Sequence, residues 1–202
     1  MRGAFARARD YVRQARAIQS DLGQSLSAEI SCAEPESELE LAVGNPAAAQ
    51  RVLEASLAVL RRMGEHSYGE TREVQLAGVL YVRGRFEEAA EHVENVRAGS
   101  SSEDVTTEWR WRAVAAKLAA QEGDFDQADE LSQAAVHVLE GTDNLNARAE
   151  CLLDRAEVLS LAGREQEAGS AVDAAVSLFE LKENEVGAAR ARALLSETTE
   201  SP

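Results

Sequence analysis

The chain has 202 residues, a formal net charge of −15, and thirty-seven alanines against nine aromatic residues. That length suits one sizeable domain or a short array of repeats that bury surface against each other, and the alanine excess favours helices that approach closely through small side chains. The acidic balance argues against a nucleic-acid backbone or an anionic membrane surface as partner, because phosphate would be repelled.

Residues 1–22 open with Gly3 and continue with Phe5, Ala8, Val12 and Ala15 at helical spacing, the pattern of a second helix whose first helix is absent. The opening "MRGAFARARDYV" has no apolar signal core, and no run of eighteen apolar residues follows anywhere. Within residues 23–63 the stretch "AEISCAEPESELELAVGN" holds Pro35 in mid-helix. Either that helix kinks, or it breaks and restarts with Pro35 in its first turn. Glu34, Glu36, Glu38 and Glu40 on this stretch read as a solvated face.

Residues 64–99 carry a first helix with Val74, Leu76, Ala77, Leu80 and Tyr81 and a second with Ala89, Val93 and Val96. Residues 100–140 repeat the arrangement with Val114, Ala115, Leu118 and Ala119, then Ala128, Leu131 and Ala135. Residues 141–181 do so again, with Leu152, Leu153, Ala156, Leu159 and Leu161 before the turn and Ala168, Val172, Ala175, Val176 and Phe179 after it. Residues 182–202 form a capping helix and tail, with Val186, Ala189, Ala193 and Leu194 on one face. No strand-like alternation of useful length occurs.

The glycines that open the second-helix phrases, Gly3, Gly44, Gly84, Gly123 and Gly163, stand 41, 40, 39 and 40 residues apart. Each sits where one helix must stop and the next begin. An alanine follows five residues later at Ala8, Ala49, Ala89, Ala128 and Ala168, and an alanine precedes by seven at Ala77, Ala116 and Ala156, with Ser37 in that place in the Pro35 repeat. This pattern resembles the tetratricopeptide repeat. The standard unit has about 34 residues, so a period near 40 implies helices about 4 to 5 Å longer each. The resemblance spans nearly the whole chain and implies a single all-α domain, 1–202: a right-handed superhelix of antiparallel helix hairpins, a TPR-like α-solenoid. The wording of "GTDNLNARAECLLDRAEVLSLAGREQEAGSAVDAAVSLFELKENEVGAARARALL" is also similar to the C-terminal repeat regions of large actinobacterial signalling regulators of the cyclase and ATPase type. That second resemblance implies the C-terminal part of a larger signalling protein.

No GxxxxGK[ST] or GxGxxG motif is present, and His66, His92 and His137 stand singly without metal-ligand spacing. Cys32 and Cys151 lie far apart and suit free thiols in a reducing, cytoplasmic setting. Neither has a base beside it in sequence to make it a nucleophile. The expectation is no enzyme, no metal and no cofactor. The tetratricopeptide resemblance implies a protein or peptide partner held on the exposed side of the first helices, which places Glu38, Tyr81, Arg110, Lys117 and Glu157 on the binding face, with Glu34, Leu41, Thr71, Gly78, Glu150 and Ser160 beside them. Trp109 and Trp111 flank Arg110 on different sides of one helix, so at most one of them belongs to the core. A small-ligand sensor controlling an attached effector domain is the alternative. A homodimer through the N-terminal helix, burying Phe5 and Val12, completes the set of expected contacts.

Overall fold

A computed structural model of the chain describes residues 2–99 and 104–199, and these form eleven α-helices with no strand among the described residues. The chain divides into two compact units, Met1–Gly99 and Ser100–Pro202. The first holds α1 (Arg2–Asp21), α2 (Ser25–Ser31), α3 (Ala33–Ala42), α4 (Pro46–Met63), α5 (Ser67–Val82) and α6 (Phe86–Gly99). The second holds α7 (Val105–Glu122), α8 (Phe125–Leu139), α9 (Leu145–Leu161), α10 (Glu165–Leu181) and α11 (Glu185–Thr199).

In the first unit α3 pairs with α4 and α5 with α6, while α4 also lies against α5 and α1 rests on α2 and α3. In the second, α7 pairs with α8 and α9 with α10, α9 packs against both α7 and α8, and α11 closes on α10. The turns explain why the chain folds back. Gly84 takes φ +70°, its N–H reaches the Tyr81 carbonyl at 2.8 Å, and the Arg85 N–H reaches the Leu80 carbonyl at 3.0 Å. Gly163 and Arg164 repeat this geometry on Ser160 and Leu159. Two orphan carbonyls are thereby satisfied while the chain reverses within a few residues, a turn that needs a left-handed residue at its centre. In the α10–α11 turn Glu183 takes that place with φ +59°, so the same reversal is made there at a steric cost that glycine avoids. The helices that follow start on side-chain caps: Asn45 accepts from the Ala48 N–H, Asp124 from Gln127, Asn144 from Ala147 and Asn184 from Gly187.

The alanines before and after the turns are where paired helices meet. Ala49, Ala77, Ala89, Ala116 and Ala128 have no exposed surface, and Ala156 and Ala168 have 4% each. Ser37 is buried in the place of the missing alanine and donates its hydroxyl to the Glu34 carbonyl at 2.8 Å. The core of the last hairpin centres on Phe179, fully buried with Leu153, Leu159, Val172 and Ala175.

Several expectations change. The Pro35 helix breaks: α2 ends at Ser31, Cys32 intervenes, and α3 restarts at Ala33 with Pro35 in its first turn, where its missing N–H costs nothing. Gly3 is not a turn glycine, because α1 runs through it. The glutamates of α3 are not simply solvated. Arg9 donates to both oxygens of Glu40, from Nε at 2.9 Å and from Nη2 at 3.0 Å, and Arg16 holds Glu36 at 2.7 Å, so they tie α1 to α3. On α11 the docked face is Gly187, Ala188 and Ala191, whereas Val186 and Leu194 are 38% and 40% exposed. Small residues face inward because α11 lies close on Phe179. A Cβ added at Gly187 would stand 2.7 Å from the ring.

Candidate protein-binding face

In the second unit one side of α9 carries Asn146, Glu150, Asp154 and Glu157, spaced four, four and three residues apart; Glu157 is exposed and the other three are half-buried. Neighbouring helices reach this row from both sides. From α7, Lys117 places Nζ 2.6 Å from Asp154 Oδ1 and 3.8 Å from Glu157 Oε2. From α11, Arg190 pairs with Glu150, and from the turn before it Asn184 Nδ2 donates to Asn146 Oδ1 at 3.2 Å. Three carboxylates thus face two cations, in a unit that has twenty-one Asp and Glu against nine Lys and Arg, a net −12.

The structure corrects the place of Lys117. Expected on the surface, it is only 7% exposed, because its stem lies between α7 and α9 and its ammonium is consumed by Asp154. Arg110 is half-buried, with its guanidinium 5.0 Å over the Trp109 ring. Trp109 belongs to the core with Ala113, Ala135, Leu139, Ala147 and Cys151, whereas Trp111 is half-buried and carries Arg112 stacked 4.4 Å over its ring. Arg112 also pairs with Glu108 one turn earlier. Of the positions placed on this face from sequence, Glu157 and Glu150 stand in the α9 row, and Ser160 lies half-buried near its end, donating to Glu165.

In the first unit Glu38 is exposed on α3, and Thr71 and Gly78 are half-buried on α5. Tyr81 is buried, which corrects its expected place on the binding face: its ring packs on Phe86 across the turn, with centroids 5.3 Å apart. Phe5 and Val12 are half-buried on the side of α1 that faces inward, and Val12 lines a cleft of about 300 Å³ with Arg9, Arg16, Glu36, Leu39 and Glu40. A three-helix bridge that sequence reasoning did not find joins Arg61 of α4, Glu73 of α5 and His92 of α6. Burial works to raise the Glu73 carboxyl, but His92 and Arg61 outweigh it and hold it below the usual carboxylate range.

Elsewhere in the second unit, Asp129 of α8 receives Arg164 Nη1 at 2.8 Å and lies 2.9 Å from Arg155 Nη1, which donates to Ser132 Oγ at 2.6 Å. Burial would raise the Asp129 carboxyl, yet contacts with Arg164, Gln133 and Arg155 prevail and hold it down at about 2. A cleft of about 250 Å³ lies beside this cluster, lined by Phe125, Asp126, Val158 and Leu159 among others. Cys151 is a poor nucleophile at neutral pH, since burial and then Asp154 push its thiol up to about 12. Cys32 and Cys151 are both free and buried. Among the described residues no group of three or more His, Cys, Asp or Glu side chains is arranged to hold a metal ion, and no helix is long and apolar enough to cross a membrane.

No protein-family model matches the chain, and no curated protein matches it either. Solved structures do. BtubC (BKLC) from P. vanneervenii is similar over 90% of this chain and 76% of its own, with 18% identity and a TM-score of 0.57. TPR-like repeats of a Podosopora anserina protein assigned to the kinesin light chains are similar over 91% of this chain and 96% of their own, with 20% identity and a TM-score of 0.50. At these identities the likeness concerns the fold, and the chain has the all-helical fold of TPR-like repeat proteins.

Proposed function

We propose that the chain is a non-catalytic protein-interaction module, and that the α9 row of the second unit is its partner face. The observation that carries this reading is the row itself: Glu150, Asp154 and Glu157 stand on one partly exposed helix edge, held in place by Lys117 and Arg190 from neighbouring helices. Such an edge is pre-organised and keeps an excess of negative charge, which selects a partner segment rich in Lys and Arg and speeds its approach. The clefts beside Asp129 and Val12 serve a soluble small ligand less well, because at about 250 and 300 Å³ they stand at or below the lower end of ligand-pocket sizes.

The wording of residues 141–195 supports a finer proposal, that this module is the C-terminal part of a larger signalling protein, where it would recruit a partner to the attached domains. A peptide-display selection on the whole chain tests the partner face. Enriched peptides should be basic, and their binding should fall at least about tenfold for Glu150→Lys with Glu157→Lys, with the helical signal retained. Enrichment of acidic or purely apolar peptides, or binding indifferent to the double reversal, would remove the α9 row from the reading.

A further inference from the structure

The inner side of α1 is engaged with α2 and α3, but a second stripe on the same helix is open to solvent. Tyr11 is 62% exposed and Ile18 61%, and Leu22, one residue past the end of α1, is 67% exposed. They fall at spacings of seven and four, and Arg7, Gln14 and Asp21, all exposed, complete a row that advances by four, three, four and three: Arg7, Tyr11, Gln14, Ile18, Asp21. That rhythm is the seam of a helix that packs along another helix.

The row is complementary to itself when reversed. A two-fold axis passing near Gln14 sets two copies of α1 antiparallel, with Arg7 of one copy level with Asp21 of the other. Tyr11 then stands within one residue's rise of Ile18 of the other copy, about 1.5 Å along the axis. Both matches occur twice by symmetry, as an isologous contact requires. Two arginines meet two aspartates, and two tyrosine–isoleucine pairs lie between them.

We propose that a second copy of this chain covers the α1 stripe, through an antiparallel helix pair built on Arg7, Tyr11, Ile18, Asp21 and Leu22. The contact leaves Phe5 and Val12 in their inward places and so differs from the homodimer expected from sequence. Two helices of about 30 Å make a small interface. The dimer is therefore weak, with a dissociation constant on the order of 100 µM.

Sedimentation equilibrium of the whole chain, in a concentration series reaching about 1 mM, reads the association. The weight-average mass should climb toward twice the monomer, and Ile18→Glu should stay monomeric with its helical signal unchanged. A charge-swap cycle then tests the geometry: Arg7→Asp and Asp21→Arg should each weaken association at least about fivefold, and the double swap should restore it to within about threefold of the parent. A parent that is monomeric throughout would overturn the proposal and leave the stripe to a different partner. A double swap as weak as the single changes would equally overturn it, since the copies would not meet antiparallel across Gln14.

Discussion

Arg164 reaches back 35 positions to Asp129, and Arg85 reaches back 35 positions to Gln50. Each arginine directly follows a turn glycine, each closes on a glutamate three residues ahead (Glu167 and Glu88), and each target directly follows a turn alanine, Ala128 and Ala49. The same clamp therefore fastens the start of one second helix to the start of the preceding one in both units. It is a device of the repeat, written at about one period's separation.

The clamp in the second unit gives a pH dependence. The Asp129 carboxyl is held at about 2 against an ordinary value of 3.8. A lowered folded-state value means that its stabilisation is complete above the ordinary value and is lost as the pH falls through it toward about 2. Denaturant melts of the parent between pH 5 and 2 should show a decline that is shallower in Asp129→Asn, with the variant already less stable at pH 7 by about 1–3 kcal/mol. Parallel pH profiles would mean that Asp129 does not exchange its proton with folding in this way.

Lys117 should behave as a core residue with a charge. Lys117→Glu sets a carboxylate against Asp154 and Glu157 and should cost about 3–5 kcal/mol, seen in chemical denaturation, whereas Arg110→Glu should cost far less. Equal and small effects would return Lys117 to the surface.

At the turn alanines there is no room. Ala89 and Ala128 are fully buried at the start of α6 and α8. Replacing either by Leu forces the paired helices apart and should cost about 1–3 kcal/mol. A neutral result at both sites would mean that the hairpins are not packed through these positions.

The last turn can be improved. Glu183 holds a left-handed conformation that the turns at Gly44, Gly84, Gly123 and Gly163 assign to glycine, and a side chain there is strained. Glu183→Gly should raise the stability of the second unit by up to about 1 kcal/mol, the relief of strain being partly offset by glycine's greater freedom in the unfolded chain. A clear loss of stability would show that the Glu183 side chain makes a contact worth more than the strain.

How much of this was legible depends on whether the signal was local. The turn glycines and alanines state the hairpins directly, because backbone reversal and close helix approach demand particular residues at particular places. Pro35 announced a fault in its helix but not which of two forms it takes, a choice made by how α2 and α3 pack. Counting from Gly123 put Lys117 on an exposed side, yet Asp154 lies 37 residues on and nothing in the local sequence says that the two meet. The same blindness hid the role of the α3 glutamates: Arg9 and Arg16 stand seven apart and Glu36 and Glu40 four apart, a match visible only once α1 lies along α3. On α11 the larger apolar side chains looked like the docking face, but the ring of Phe179 admits only glycine and alanine.

The α9 row as a partner face is tested most directly by backbone amide NMR of the whole chain titrated with a basic peptide from the display selection. The largest shifts should fall on Asn146, Glu150, Asp154 and Glu157 of α9, on Lys117 of α7 and on Arg190 of α11. Shifts concentrated instead on the second helices of the hairpins, at Asp126 and Glu130 of α8 or Asp173 and Glu180 of α10, would contradict the α9 row as the partner face.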